Sequence, residues 1–271
     1  MRTIAHISDL HFGAEEPVIA EGLLRDLSEQ QPQLVVISGD LTQRARTAQF
    51  QAARNYLDRI TVPQIVVPGN HDVPLHNFFD RVLRPLTRYR RWITPEMHPF
   101  YQDDEIAVVG VNTARSSTWK EGRISLLQMA RLRAQFDSVP AHLFKILVSH
   151  HPFIPPADRT QTALVGRARL ALGTLEACGC SLILSGHLHR AYGGDTKVTH
   201  VKMARSILVA QAGTAISHRR RNESNAYNHI VLDGPKLTIH VRQWDGRKFE
   251  VRETRAYRES ASGWTTAPAA Q

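Results

Sequence analysis

Two cysteines in 271 residues leave this chain no disulfide framework. They stand as Cys178-Gly179-Cys180, too close to bridge readily and one residue short of the spacing in zinc and redox motifs. The expectation is a pair of reduced, partly buried thiols in a reducing compartment. Long hydrophobic runs are also missing. None approaches a membrane span, and Met1-Arg2-Thr3-Ile4-Ala5-His6-Ile7-Ser8-Asp9 lacks the apolar stretch of a secretory leader. A soluble, cytoplasmic protein is therefore expected. Aromatic residues make up 7% of the chain and form no aromatic-and-basic platform on which single strands could stack. Nucleic acid is a possible partner but not the favoured one. No internal repeat and no linker divides the sequence, so one domain over 1–257 is expected. The Ser-, Ala-, Thr- and Pro-rich residues 258–271 should form a flexible tail.

What is present is a globular composition, 42% apolar and 22% charged, in a chain long enough to bury a sizeable core. Lys and Arg outnumber Asp and Glu by 34 to 25, a balance that favours anionic partners such as phosphate esters. Fourteen histidines make their positions worth following.

The first half alternates strand and helix. Strands are expected at 3–7, 34–37 and 65–67, with helices over 17–30 and 45–59 between them. In the first helix the apolar members are Val18, Leu23, Leu24 and Leu27. This β-α-β-α-β order predicts neighbouring parallel strands whose carboxyl ends share one edge, where ligands bind. Each strand ends in residues that bind metals or move protons: Asp9-Leu10-His11, Gly39-Asp40, and Pro68-Gly69-Asn70-His71-Asp72. Asp9 and His11, two apart, point to one side of an extended segment. His6, inside the strand, reads as a packed structural residue. Later strands at 106–111, 143–148 and 181–184 deliver Asn112-Thr113-Ala114-Arg115, Ser149-His150-His151 and Gly186-His187-Leu188-His189 to their ends. Helices are expected at 125–136 and 165–177. Short strands at 207–210, 227–232 and 237–242, the last two joined by the Asp233-Gly234 turn, suggest a second, largely antiparallel sheet. Residues 76–95 read as a helix broken at Pro85, carrying Arg81, Arg84, Arg88, Arg90 and Arg91. They form either a solvated face or a basic flap over an anionic substrate.

The strand-end set of Asp9, His11, Asp40, Asn70, His150, His187 and His189 offers only oxygen and imidazole nitrogen. Such donors suit Mn, Fe, Zn or Co. Seven ligands exceed one tetrahedral ion but suit two ions about 3.5–4 Å apart that share a carboxylate. The ordered blocks Asp9-x-His11, Gly39-Asp40, Gly69-Asn70-His71-Asp72, His150 and Gly186-His187-x-His189 resemble the calcineurin-like metallophosphoesterase superfamily. Within it they are most similar to bacterial class III cyclic-nucleotide phosphodiesterases. The resemblance spans residues 9–189. It implies a four-layer α/β/β/α sandwich of two mixed β-sheets flanked by helices. It also implies a dinuclear centre of two divalent transition-metal ions that hydrolyses a phosphate ester through a hydroxide held between them.

By the same resemblance Asp40 bridges the ions. Asp9, His11 and His189 complete one site, and Asn70, His150 and His187 the other. His150 and His151 both remain candidates, and the family pattern favours the first. His71 matches the histidine that contacts phosphate and serves the departing oxygen, with Asp72 orienting it and Asn70 also touching substrate. Apart from the resemblance, Arg115 lies just beyond the strand end at Val111 and is expected to contact the substrate phosphate or its leaving group. The favoured substrate is a small phosphodiester such as a cyclic nucleotide. Alternatives are a pyrophosphatase for a UDP-diacylglucosamine-type lipid, a nuclease, and a non-catalytic scaffold.

Overall fold

The computed structural model describes residues 1–75, 78–117, 121–155, 163–189, 192–195, 206–220, 223–260 and 263–267. Strand β1 (Arg2–Ile7) runs into the first connection. Helix α1 (Pro17–Gln30) follows, with Pro17 at its first turn, where a missing N–H costs nothing. Its buried face is Ile19, Leu23 and Leu27, whereas Val18, expected in the core, is 72% exposed. The chain continues through β2 (Leu34–Ile37), α2 (Thr47–Leu57), β3 (Gln64–Val66) and a 3₁₀ turn at Asn70–Asp72. Two short helices, α3 (Phe78–Leu83) and α4 (Thr87–Trp92), flank Pro85 as the sequence predicts. Then come β4 (Phe100–Gln102), β5 (Ile106–Gly110), α5 (Leu126–Asp137), β6 (Phe144–Val148), α6 (Ala168–Ala177) and β7 (Leu182–Ser185). The remaining strands are β8 (Tyr192–Asp195), β9 (Leu208–Gln211), β10 (Ala226–Asp233), β11 (Lys236–Trp244), β12 (Phe249–Ser260) and β13 (Gly263–Ala267).

These strands form two mixed sheets, ordered β13-β12-β11-β10-β1-β2-β3 and β4-β5-β6-β7-β9-β8. Strands β1, β2 and β3 are parallel neighbours, as their βαβ order requires. The late strands do not make a separate antiparallel sheet. Instead β10 pairs with β1, extending the first sheet, while β9 lies parallel to β7 in the second. The apolar alternation of single strands carries no information on this choice of partner.

The layers follow from side-chain period. On β2, Leu34 and Val36 face the second sheet, meeting Val108, Ile146, Val148 and Leu184 in a core between the sheets. Val35 and Ile37 point the other way, onto Leu23 and Leu27 of α1 and Phe50 and Leu57 of α2. Across the molecule, Val109, Leu147 and Ile183 take Leu132 and Phe136 of α5 and Leu172 and Leu175 of α6. Helix, sheet, sheet and helix thus stack in four layers, and strands covered on both faces are continuously apolar.

Residues 258–260 and 263–267 depart from the expected flexible tail. Strand β12 runs to Ser260 and β13 pairs with it. Trp264, 5% exposed, sets its ring edge-on to Phe144 at 5.7 Å, so an apolar anchor overrides the small polar composition around it. Residues 268–271 lie outside the described residues. No helix among the described residues is long and apolar enough to cross a membrane.

Candidate metal centre

The carboxyl ends of the parallel strands bring the polar blocks to one edge. Beyond β1 and β2 the two connections stay in register: Asp9 N donates to Gly39 O at 3.0 Å and His11 N to Asp40 O at 2.9 Å. Eight non-glycine residues among those described have positive φ. Five are Asp9 (+55°), His11 (+49°), Asp40 (+53°), His187 (+73°) and His189 (+58°). Asp and His tolerate this region better than most side chains, yet such strain persists only where the surroundings enforce it. Here it turns the side chains inward. Two glycines make the necessary room: a Cβ on Gly69 would collide with the Asp40 carboxylate, and one on Gly186 with Ser8 Oγ.

The ligand atoms fall into overlapping groups: Asp9, His11 and His189; Asp9, Asp40 and His150; His150, His151 and His187. Asp40 Oδ2 lies 3.8 Å from His11 Nε2 and 3.4 Å from His150 Nε2, between the two sides of the site. Asp9 Oδ1 lies 3.6 Å from His11 Nε2 and 3.8 Å from His189 Nδ1. Asn70 Oδ1 meets His150 Nε2 at 3.1 Å and His187 Nδ1 at 3.0 Å. Nδ1 of His150 sits 2.7 Å from Ser38 O. A carbonyl only accepts, so Nδ1 carries a proton and Nε2 is the nitrogen that faces the centre. His150 thus makes the contacts to both Asp40 and Asn70. His151 directs its Nδ1 to Thr113 Oγ1 at 2.8 Å, and its ring centroid lies 4.9 Å from that of His150 and 4.8 Å from that of His187.

The electrostatics are those of a buried cluster of opposed charges. Burial would raise the Asp40 carboxyl, but His150, His71 and His11 together hold it well below the usual carboxylate range. Asp9 is lowered as well: His189, His11 and His150 outweigh both burial and the Asp40 charge. Burial works against protonating His150, yet Asp40 and Asp9 raise it to about 9. His187 is pushed down to about 3 by burial and then by the His150 charge.

Asp9 Oδ1 and both ring nitrogens of His11 are buried with no hydrogen-bond partner among the described residues. Unmet buried polar atoms need an explanation, and oxygen and imidazole lone pairs converging on common points have the donor chemistry of a divalent-metal site. The residues present therefore fit a pair of metal ions.

The sequence pattern of calcineurin-like phosphoesterases matches residues 2–191. The chain belongs to the calcineurin-like phosphoesterase family. A probable cyclic nucleotide phosphodiesterase of Synechococcus is 24% identical over 216 residues, covering 70% of this chain and 74% of the relative. A probable glycerophosphodiester phosphodiesterase of Arcobacter nitrofigilis is 26% identical over 219 residues, covering 77% and 73%. Among solved structures, a dimetal phosphatase from Danio rerio shares the fold with a TM-score of 0.67 and 14% identity, over 94% of this chain and 98% of that one. As a calcineurin-like phosphoesterase the chain is a metal-dependent phosphoric ester hydrolase, and it carries all seven strand-end donors.

One site assignment changes. Asp72 does not orient His71. Its carboxylate accepts from Gly69 N (2.9 Å), Leu41 N (3.2 Å), Thr42 N (2.9 Å) and Thr42 Oγ1 (2.9 Å), tying the β2 and β3 connections together. The His71 imidazole instead directs Nδ1 to Gln43 O at 2.9 Å, while its backbone N donates to Asp40 Oδ1 at 2.8 Å. Arg115 does not join the ligand cluster: its guanidinium donates to Gln128 Oε1 and faces a separate pocket. The arginine that reaches the centre is Arg219, whose Nη1 lies 3.2 Å from His71 Nε2 and 3.0 Å from Gln43 Oε1. The sequence signal for it is faint, a basic residue in the 214–225 connection. Gln43 acts through its main chain as well, which no side-chain pattern announces.

Proposed function

We propose that this protein is a dinuclear phosphodiesterase acting on a small phosphodiester, a cyclic nucleotide or a glycerophosphodiester being the nearest types. The observation that carries it is Asp40, placed between His11 on one side and His150 on the other with its neighbours' buried donor atoms unmet. Asp9, His11 and His189 would hold one ion and Asn70, His150 and His187 the other, with Asp40 shared. Bound there, the ions would supply Lewis-acid activation of the phosphate and of the attacking water.

The chain's own groups would position and protonate. Because Nδ1 of His71 is committed to the Gln43 carbonyl, Nε2 is the atom that exchanges a proton with the leaving oxygen. Burial lowers the imidazole's affinity for that proton, and Asp40 raises it. An anionic phosphate beside Nε2 would act in the same direction as Asp40. Arg219, adjacent to Nε2, is placed to donate to a phosphate oxygen in a charge-assisted hydrogen bond. Names of relatives support the diester class: both are probable phosphodiesterases.

The test is a hydrolysis panel with added Mn²⁺, comparing bis-p-nitrophenyl phosphate, p-nitrophenyl phosphate, 3′,5′-cAMP, 2′,3′-cAMP, glycerophosphocholine, a UDP-linked lipid and single-stranded DNA. Diesters should exceed the monoester in kcat/KM. Preference for the monoester, or for the UDP-lipid or DNA over every small diester, would overturn the proposal.

A further inference from the structure

The connections around α4 and after β5 enclose two adjoining cavities of about 270 and about 310 Å³ that share Arg90, Asn112 and Arg115. The lining of the smaller includes Val73, the residue that follows the Asn70–Asp72 turn of the metal centre. The larger opens among Arg90, Arg115, Arg123, Arg167 and His98, and no carboxylate among the described residues lines either one.

Several arginines elsewhere in the chain are treated differently. Arg54, Arg59, Arg88, Arg242 and Arg255 each meet a carboxylate oxygen at 2.6–2.9 Å. The four pocket arginines form no ion pair with a described residue. Arg115 and Arg167 are instead held by neutral groups. Arg115, half-buried at the centre, donates to Gln128 Oε1, which also accepts from Ser125 N at 3.0 Å, while Gln128 Nε2 donates to Asn112 O at 2.7 Å. Arg167, at φ +70°, extends Nη1 to Ile124 O at 3.3 Å. Burial lowers the pKa of Arg115, and the nearby charges of Arg123 and Arg167 lower it further. Positive charge is thus gathered from α4, the β5 connection and the start of α6 without a protein counter-ion. Guanidinium forks match phosphate oxygens in pairs, and a space of this size takes one or two phosphate groups.

We propose that the pocket of Arg90, Arg115, Arg123 and Arg167 binds a phosphate-type anion, in addition to the ester processed at the metal centre. The anion has two possible sources. It is a second, non-scissile phosphate on the substrate, reached along the cavity from Val73, or a free phosphate or pyrophosphate. The first source rests on the phosphodiesterase proposal; the binding itself does not.

Two arms test this. In the first, metal-stripped full-length protein is titrated calorimetrically with inorganic pyrophosphate, alongside R123Q/R167N. Both positions are solvent-exposed, so the variant should keep the wild-type melting temperature. Saturable binding that weakens with salt and falls at least tenfold in the variant is the expected result. No binding, or equal binding by both proteins, overturns the proposal. Arg115→Gln provides a second variant, with the same outcomes, if the double change fails to fold. In the second arm, the metal-loaded enzyme hydrolyses thymidine 5′-(p-nitrophenyl phosphate) with and without a 3′-phosphate. A KM about tenfold lower for the 3′-phosphorylated ester, lost in R123Q/R167N, assigns the anion to the substrate. Equal KM values together with retained pyrophosphate binding assign it to a free ligand. Failure to cleave either ester would count against the phosphodiesterase proposal and leave the calorimetric result standing.

Discussion

His71 Nδ1 lies 2.9 Å from the carbonyl oxygen of Gln43, and this bond selects the nitrogen that can serve the reaction. A backbone carbonyl neither titrates nor donates, so the imidazole is held with Nδ1 protonated and Nε2 toward the metal centre. This is a fixed tautomer rather than a charge relay.

His71→Ala should therefore leave both metal sites intact and reduce kcat about 10²–10⁴-fold on an unactivated diester, the range for a positioned acid or base. On bis-p-nitrophenyl phosphate the loss should be smaller, because nitrophenolate leaves without a proton. Metal analysis and kcat on both esters check this. Equal losses would argue against proton transfer at Nε2, and loss of metal would overturn the separation of roles.

Asp72 should behave as a structural residue. Burial, then the Asp40 charge, raises its carboxyl to about 6 even though Gly69 and Thr42 donate to it. Asp72→Ala would strand those backbone donors at roughly 1–3 kcal/mol each, lowering the melting temperature by several degrees. In the folded fraction, the pH profile of kcat should keep its shape. A displaced profile with unchanged melting temperature would restore Asp72 as the residue that tunes His71.

Metal binding should be cooperative with folding. Two equivalents of Mn²⁺ per chain are expected, with a rise in melting temperature, since ions that bind only the folded state stabilise it by mass action. Asp40→Ala should abolish hydrolysis, bind fewer than two ions and lose most of that rise. Elemental analysis giving at most one ion per wild-type chain would refute the dinuclear assignment.

Much of this centre was legible because its chemistry and its fold use the same short blocks. Asp9, His11, Asp40 and Asn70 each follow a short apolar strand, and βαβ order alone sends such residues to one edge. What the sequence could not give was partner choice at long range. Nothing local distinguishes β10 pairing with β1 from β10 starting its own sheet, and the register Arg2↔Leu232 depends on tertiary packing. The same limit hid Gln43 and Arg219, which are 28 and 148 positions from His71 and reach it through connections without periodicity. Asp72 misled for the opposite reason. Its position beside His71 suggested a pair, but the turn sends its carboxylate back toward Thr42.

His6 offers a pH test away from the reaction. Buried on β1 with Nε2 2.9 Å from Ser38 Oγ, its pKa is pushed down to about 3 by burial, against a smaller upward pull from Asp9. The unfolded chain takes up the proton near pH 6.5, while the folded chain resists it down to about pH 3. Stability from this residue is thus complete above pH 6.5 and is lost as pH falls below it, by about 2 kcal/mol at pH 5. Denaturant titrations at pH 7 and pH 5 should show wild type losing more stability than His6→Gln by about that amount. Identical pH dependence in the two proteins would refute it.

The last test sets Arg219 against Arg115. Both are basic residues on connections at the same end of the sheets, but only Arg219 reaches His71, while Arg115 is engaged with Gln128. Removing one charge-assisted hydrogen bond to the reacting phosphate costs roughly 1.5–3 kcal/mol, about ten- to a hundredfold in kcat/KM. Arg219→Ala should fall in that range on bis-p-nitrophenyl phosphate, with metal content unchanged. The melting temperature should move little, because Arg219 is half-exposed and forms no ion pair among the described residues. Arg219→Lys should recover only part of the loss, since an ammonium keeps the charge without the planar fork. If Arg219→Ala kept full kcat/KM, the contact with His71 would be a feature of the unliganded protein alone, and the phosphate would be positioned without it.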